Sequence, residues 1–281
     1  MTLLDGKKVA REIQNKLQIK IDSLPVKPGL CVIMVGSKDE SLIYVTMKLK
    51  KCKEMNINTY FFNFNEDDGE DTIINKINEM NECVAVHGIL VQLPLPKHLD
   101  TDNILNAVSK DKDVDGFNSY NAGLLFQNKK PLFIPCTPKG CITLLDYYNI
   151  EVRGLNITII GCSNLVGLPL SMMLLHRGAT VTICHEGTID VKSNCLKADM
   201  VIACCGVPKL VKGSWITDDT IVIDIGTNKD KITNKLVGDV DFENVRDKCS
   251  YITPVPGGIG PMTIMMVIQQ TVEACATMLK I

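Results

Sequence analysis

The chain has 281 residues, 46% hydrophobic and 22% charged, a composition that excludes disordered, collagen-like and low-complexity classes. Its length suits two domains of about 100–200 residues with real cores. Lys+Arg 30 against Asp+Glu 32 leaves a formal charge of −2 with no basic block, which argues against nucleic acid as a partner.

A helix is predicted over 5–22, then a strand at 29–35 (GLCVIMV), a helix at 41–55 and a strand at 58–63. A helix at 70–81 and a strand at 88–92 (GILVQ) follow. The stretch 111–136, rich in Gly, Asn and Pro, breaks the rhythm and reads as a segment crossing between two sheets. Beyond it come a helix at 138–148, a strand at 157–161 (ITIIG), a helix at 166–177 and a strand at 180–184. A helix at 188–196 and strands at 199–204 and 221–225 (IVIDI) complete the alternation. Apolar runs bounded by turn signals are expected of strands covered on both faces. After a loop at 253–261, Met262–Leu279 reads as an apolar helix that returns to the first domain. Repeated strand–helix units mean parallel sheets and the α/β class, with domains at 1–138 (completed by 262–281) and 139–261.

No apolar run approaches the ~20 residues needed to cross a bilayer, and the N-terminus lacks a signal-peptide core, so no membrane partner is expected. Twelve cysteines are scattered without a CxxC pair, several within strand-like runs (Cys31, Cys184, Cys204, Cys205). With only four histidines beside them, they read as reduced thiols of a cytoplasmic protein, not as a disulfide scaffold or a metal site.

The segment 156–178 (NITIIGCSNLVGLPLSMMLLHRG) carries the first functional signal. A strand ends at Gly161, a small-residue turn follows, and a helix opens near Val166 and Gly167. Backbone N–H groups at such a helix start face a dinucleotide pyrophosphate. The glycine spacing departs from GxGxxG, because Ser163 stands where a second glycine is usual, so an ordinary tight turn is the competing reading. At the end of the next strand stand His185, Glu186 and Gly187; Glu186 can accept the ribose 2′-OH and repel a 2′-phosphate, or can be a solvated loop residue.

Several blocks then match one family in content, order and spacing. They are 41–48 (SLIYVTMK), 89–96 (ILVQLPLP), 113–117 (DVDGF), 135–140 (PCTPKG), 161–169 (GCSNLVGLP), 238–242 (GDVDF) and 252–263 (ITPVPGGIGPMT). Across nearly its whole length the chain resembles the bifunctional methylenetetrahydrofolate dehydrogenase/methenyltetrahydrofolate cyclohydrolase family. The resemblance implies a two-domain α/β homodimer, with tetrahydrofolate derivatives bound by the first domain beside a Rossmann domain that takes NADP. It implies oxidation of 5,10-methylenetetrahydrofolate to the methenyl form and hydrolysis of that to 10-formyltetrahydrofolate.

The residues can be matched to that chemistry. Tyr44 and Lys48 lie four apart, at one edge of the stripe Leu42, Val45, Leu49 and Cys52 on the helix 41–55. From composition alone Lys48, followed by Lys50, Lys51 and Lys53, is a solvated lysine. The resemblance makes Lys48 the catalytic lysine and Tyr44 the aromatic that stacks on folate. Water must be added to a methenyl cation and protons moved during ring opening, and a lysine doing this must shed its own proton. Gln92 is neutral, so it can orient the amine without favouring its charged form as a carboxylate would.

Asp115 is similar to the family carboxylate that takes two adjacent N–H donors of the pterin edge. A turn aspartate is the bland alternative, and Asp113 is a neighbour easily confused with it. Val91, Leu93 and the loop Pro256, Gly257, Gly258, Ile259 and Gly260 complete the folate side implied by the resemblance. The cofactor side comprises Gly161, Cys162, Ser163, Val166, Gly167, His185, Glu186 and Thr227.

NADP-using members usually carry Arg where this chain has Cys162, and Ser-Arg where it has Glu186-Gly187. Positive charge is lost and negative charge gained where a 2′-phosphate would sit, which points toward NAD. Lys192 and Lys197 are candidates to compensate. One alternative is a cyclohydrolase with weak dehydrogenase activity; another, a non-catalytic folate binder, conflicts with intact Lys48 and Gln92. A different Rossmann dehydrogenase, such as a shikimate enzyme, leaves VQLPLP and PGGIGPMT together unexplained.

Overall fold

The computed structural model describes residues 1–37, 39–230 and 233–281. Two compact units emerge: Glu12–Cys136 with Ile264–Ile281, and Met1–Arg11 with Thr137–Thr263.

In chain order the first elements are β1 (Thr2–Leu3), α1 (Gly6–Ser23), β2 (Gly29–Val35), α2 (Asp39–Glu54) and β3 (Asn58–Phe64). Next come α3 (Glu70–Glu82), β4 (Gly88–Val91), α4 (Thr101–Ala107), α5 (Ser119–Phe126) and α6 (Cys136–Tyr147). The nucleotide-type alternation follows as β5 (Asn156–Ile160), α7 (Gly167–His176), β6 (Thr180–Cys184), α8 (Val191–Leu196), β7 (Met200–Ala203) and β8 (Ile221–Asp224). The chain ends with the hairpin β9 (Asn228–Lys229) and β10 (Leu236–Val237), α9 (Phe242–Val245), β11 (Tyr251–Ile252) and α10 (Ile259–Met278).

The unit containing Glu12–Cys136 is built on a parallel sheet of order β3-β2-β4, with Cys31 opposite Tyr60 and Ile89, and Ile33 opposite Val91. Side chains alternate across a strand. Cys31, Ile33 and Val35 of β2 therefore share one face and pack in a core with Ile73, Ile77 and Met80, the buried stripe of α3. Central β2 is buried at every position, as its continuous apolar run predicts. β3 departs from that expectation: it lies at the sheet edge, alternates exposed with half-buried residues, and Phe61 is 41% exposed.

The other unit holds a six-stranded parallel sheet of order β1-β11-β8-β7-β5-β6. The order reverses at β5, which is flanked by β6 and β7, and ligands of such sheets bind outside the strand carboxyl ends at that switch. β6 is an edge strand, partly exposed, again unlike the expectation of cover on both faces. Residues 1–11 were expected with the folate-side domain and belong instead here, because Thr2 and Leu3 pair with Tyr251 and Ile252.

Four helices depart from the sequence reading. α4 is capped by Asp100, which accepts from the Asn103 amide at 3.0 Å, and it buries Ile104 and Leu105. α5 lies inside the crossing segment, where Asn118 accepts from the Tyr120 amide at 2.9 Å. α8 starts at Val191 rather than 188, because Asp190 caps it by accepting from the Ser193 amide at 2.9 Å. The final helix opens three residues earlier than predicted, at Ile259, and is buried along most of its length.

Candidate functional site

Lys48 comes from α2 and is only 8% exposed, unlike the exposed Lys50 and Lys53 that follow it. Position decides this: Val45 and Cys52 are buried on the same helix, and Lys48 falls between them on that face. Its Nζ donates to Oε1 of Gln92 at 3.0 Å. Gln92 follows β4 directly, and its own amide N–H bonds to the Ile33 carbonyl at 2.7 Å, so the backbone under it is fixed to β2. Its Nε2 donates to the Leu93 carbonyl at 2.7 Å, which turns the acceptor end of the amide toward the lysine. Tyr44 is half-buried one helical turn before Lys48.

Asp115 is partly exposed, and loss of water pushes its carboxyl up from the ordinary range, while the Lys48 ammonium and the Cys136 thiol pull it down. Lys48, Gln92 and Asp115 thus belong to one constellation within one unit. Asp113 does something else. Only 4% exposed, it accepts from the amides of Phe117 (3.1 Å) and Asn118 (2.9 Å) and from Asn121 Nδ2 (2.9 Å). It folds the turn that presents Asp115. Gly116 sits there at φ +73°, where a Cβ would lie 2.5 Å from the Ile134 carbonyl carbon.

Sequence reasoning missed the support behind Asp115. Gln270 of α10, 1% exposed, donates Nε2 to the carbonyls of Val114 (2.7 Å) and Ile134 (2.9 Å), and its Oε1 accepts from the Ile134 amide at 3.0 Å. Cys136 donates its thiol to the Val114 carbonyl at 3.2 Å. A buried glutamine in a largely apolar helix was the available signal, since buried amides are kept only where they are satisfied.

Val91 is 3% exposed and its side chain packs in the core. Leu93 is half-buried. Pro256, Gly257, Gly258, Ile259 and Gly260 belong to the other unit. Ile259 and Gly260 are the first turn of α10 rather than loop, Gly257 has φ +116°, and its carbonyl accepts from the Lys7 amide at 3.0 Å.

The dinucleotide turn is made of backbone. Gly161 leaves β5 at φ +125°, and a Cβ there would sit 2.4 Å from the Cys204 carbonyl oxygen, so only glycine fits where two chains part at the switch point. A Cβ on Gly167 would meet the Gly161 carbonyl oxygen at 2.0 Å. These two contacts explain why both glycines are needed and why the second position can be Ser163, whose Oγ accepts from the Val166 amide at 3.3 Å. Cys162 and Ser163 are exposed, and Val166 is half-buried at the start of α7.

His185 turns the chain at the end of β6, its Nδ1 facing the Gly187 amide at 3.1 Å and its own amide donating to Thr188 Oγ1 at 3.0 Å. Glu186 is thereby held outward and exposed, as is Thr227 beyond β8. Lys192 and Lys197 are also exposed. The turn brings two glycines to close approach at the start of α7, the setting in which a helix N-terminus receives a dinucleotide pyrophosphate.

Comparison with known proteins gives consistent results. Residues 4–115 match the family description "Tetrahydrofolate dehydrogenase/cyclohydrolase, catalytic domain", and residues 135–279 match its "NAD(P)-binding domain". The chain is 46% identical to a "Bifunctional protein FolD" from Nitratiruptor sp., covering 98% of each chain. It superposes on the FolD methylenetetrahydrofolate dehydrogenase/cyclohydrolase of Campylobacter jejuni with a TM-score of 0.96, at 43% identity over 99% of each chain. A Trypanosoma brucei counterpart, solved with NADP and an inhibitor, is similar at TM-score 0.95 and 31% identity, over 100% of this chain and 99% of that one.

Proposed function

We propose how two half-sites share the work, from the premise that the chain belongs to the tetrahydrofolate dehydrogenase/cyclohydrolase family. It is a bifunctional enzyme that oxidises 5,10-methylenetetrahydrofolate with NAD(P)+ and hydrolyses the methenyl product to 10-formyltetrahydrofolate. The alternative of a cyclohydrolase with feeble dehydrogenase activity finds no support, since both domains match over their length.

On this reading Lys48 moves the protons of water addition and ring opening. The observation that carries it is the nearly buried Nζ held 3.0 Å from a neutral amide oxygen. Gln92 takes one N–H of the lysine and fixes its direction, leaving the remaining hydrogens or lone pair for substrate. Asp115 accepts the pterin N–H pair, and Tyr44 stacks on the ring. Val91 contributes backbone only, Leu93 an apolar contact, and Pro256–Gly260 the remaining folate-side backbone.

Gly161, Cys162, Ser163, Val166 and Gly167 would hold the dinucleotide phosphates, His185 and Glu186 the adenosine ribose, and Thr227 the nicotinamide end. When bound, the dinucleotide accepts the hydride. Glu186 is exposed, and Cys162 and Gly187 are uncharged where the resemblance expects arginines, so a 2′-phosphate would face a carboxylate. At ~4 Å that repulsion costs ~1 kcal/mol in water and more when partly buried. NAD is therefore preferred over NADP.

A homodimer is part of the same reading, supported by the resemblance and by the free edge of β3, where Phe61 stands exposed. A cytoplasmic location fits twelve cysteines that form no disulfide, most of them buried. Purified chain given methylenetetrahydrofolate with either dinucleotide tests the reading, following nicotinamide reduction and methenyl absorbance separately. Higher kcat/KM with NAD is expected; a clear NADP preference would overturn the cofactor assignment, and absence of both signals would overturn the whole.

A further inference from the structure

Two buried carboxylates lie outside the chemistry above, in the unit that carries the dinucleotide turn. Asp224 closes β8 at 2% exposure, and Asp239 follows β10 at 0%. Each is satisfied by N–H donors. Asp224 accepts from the amides of Gly226 (3.0 Å), Asp239 (2.9 Å) and Val240 (3.0 Å). Asp239 accepts from the amides of Cys205 (2.7 Å) and Gly206 (2.9 Å) on one oxygen and from Asn228 Nδ2 (2.8 Å) on the other.

The order of dependence follows. Asp224 fixes the backbone of Asp239, and Asp239 then ties together the loop leaving β7 and the segment leaving β8 that includes Thr227. Both loops lie at strand carboxyl ends, where sheets of this type receive ligands. The packing leaves no slack: a Cβ on Gly226 would lie 2.2 Å from the Asp239 carboxyl carbon, and one on Gly238 would lie 1.7 Å from Asp224 Oδ2. Two charges withdrawn from water are costly unless their donors are in place, so the arrangement is a rigid one.

We propose that Asp239, acting with Asn228, is a positioning residue of the dinucleotide half-reaction: it sets the spacing between residues 205–206 and 226–228. The proposal rests on the reading that this edge takes NAD(P). Lys48, Gln92 and Asp115 belong to the other unit, so cyclohydrolase activity measured without dinucleotide is an internal control.

The test uses the full chain in three forms besides wild type: Asn228→Ala, Asp239→Asn and Asp239→Ala. Dinucleotide affinity, dehydrogenase KM and kcat, cyclohydrolase turnover and thermal midpoint are measured on each. Asn228→Ala should raise dinucleotide KM about tenfold, the equivalent of one lost charge-assisted hydrogen bond, with cyclohydrolase turnover unchanged. Asp239→Asn should be milder than Asp239→Ala, because the Asn228 amide can rotate to present its oxygen. If Asp239→Ala fails to fold, Asn228→Ala decides alone. Unchanged dinucleotide KM in Asn228→Ala, or parallel loss of both activities with thermal stability, would overturn the proposal. Wild-type chain that binds neither dinucleotide would instead overturn the reading beneath it.

Discussion

The folate-side constellation and the dinucleotide turn are built by opposite means. At the first, side chains carry the chemistry and are withdrawn from water: Lys48 is 8% exposed, and Gln92 is fixed through its backbone and its own amide. At the second, the backbone supplies the donors, and the side chains of Cys162, Ser163, Glu186 and Thr227 are exposed. A site that must move protons needs particular groups in a particular setting, whereas a phosphate cradle needs only N–H groups and room. This is why Cys162 and Glu186 can depart from the family pattern while Tyr44, Lys48, Gln92 and Asp115 do not.

The largest expected effect breaks the first region and spares the second. Lys48→Met should lower cyclohydrolase turnover by about 10²–10⁴, the usual contribution of a positioned acid–base group, with dinucleotide affinity unchanged. Unchanged turnover would remove Lys48 from the mechanism. Gly161→Ala is the converse. A residue forced to φ +125° with its Cβ against the Cys204 carbonyl incurs roughly 1–3 kcal/mol of backbone strain plus the clash. Calorimetric titration should show dinucleotide binding weakened at least about tenfold, while cyclohydrolase turnover persists.

Gln270→Leu probes support instead of chemistry. It strands the Ile134 carbonyl and amide, at roughly 1–3 kcal/mol for each buried group left unpaired, and leaves the Val114 carbonyl to the Cys136 thiol. Urea unfolding should show the lost stability, and folate KM should rise more than dinucleotide KM. Equal changes in both constants would mean that the glutamine holds the fold without orienting Asp115.

The smallest effect concerns the turn-holding carboxylates, Asp113 in one unit and Asp224 in the other. Burial pushes Asp113 up to about 6 and Asp224 up to about 7, against an ordinary 3.8. With folded values above unfolded ones, the native state holds more protons across about pH 4–7, so these groups make stability fall as pH rises through that window. Asp113→Asn should flatten the pH slope of the denaturation midpoint there. An unaltered slope would mean that Asp113 stays ionised throughout.

Much of this was legible in the chain. β2, β4, β5, β7 and β8 are runs whose apolar continuity leaves no other placement, and turn residues bound each of them. α4 and α5 were not, because they are short, polar at their starts and held by single capping side chains, Asp100 and Asn118, amid Gly and Asn. The pairing of β1 with β11 joins residues some 250 positions apart through two rungs, and no local pattern encodes it. At the site, the helical spacing set Tyr44 beside Lys48, but only the fold separates Asp113, which ties a turn, from Asp115 two residues on. Gln270 and the Asp224–Asp239 pair work through backbone amides distant in sequence, a kind of contact that residue type alone does not announce.

A crystal structure of the chain with a bridged folate analogue bound tests the central claim most directly. Lys48 Nζ should lie within hydrogen-bonding reach of the one-carbon bridge while still donating to Gln92, with Asp115 on the pterin edge. A lysine turned to bulk water, away from the bound ring, would contradict the account.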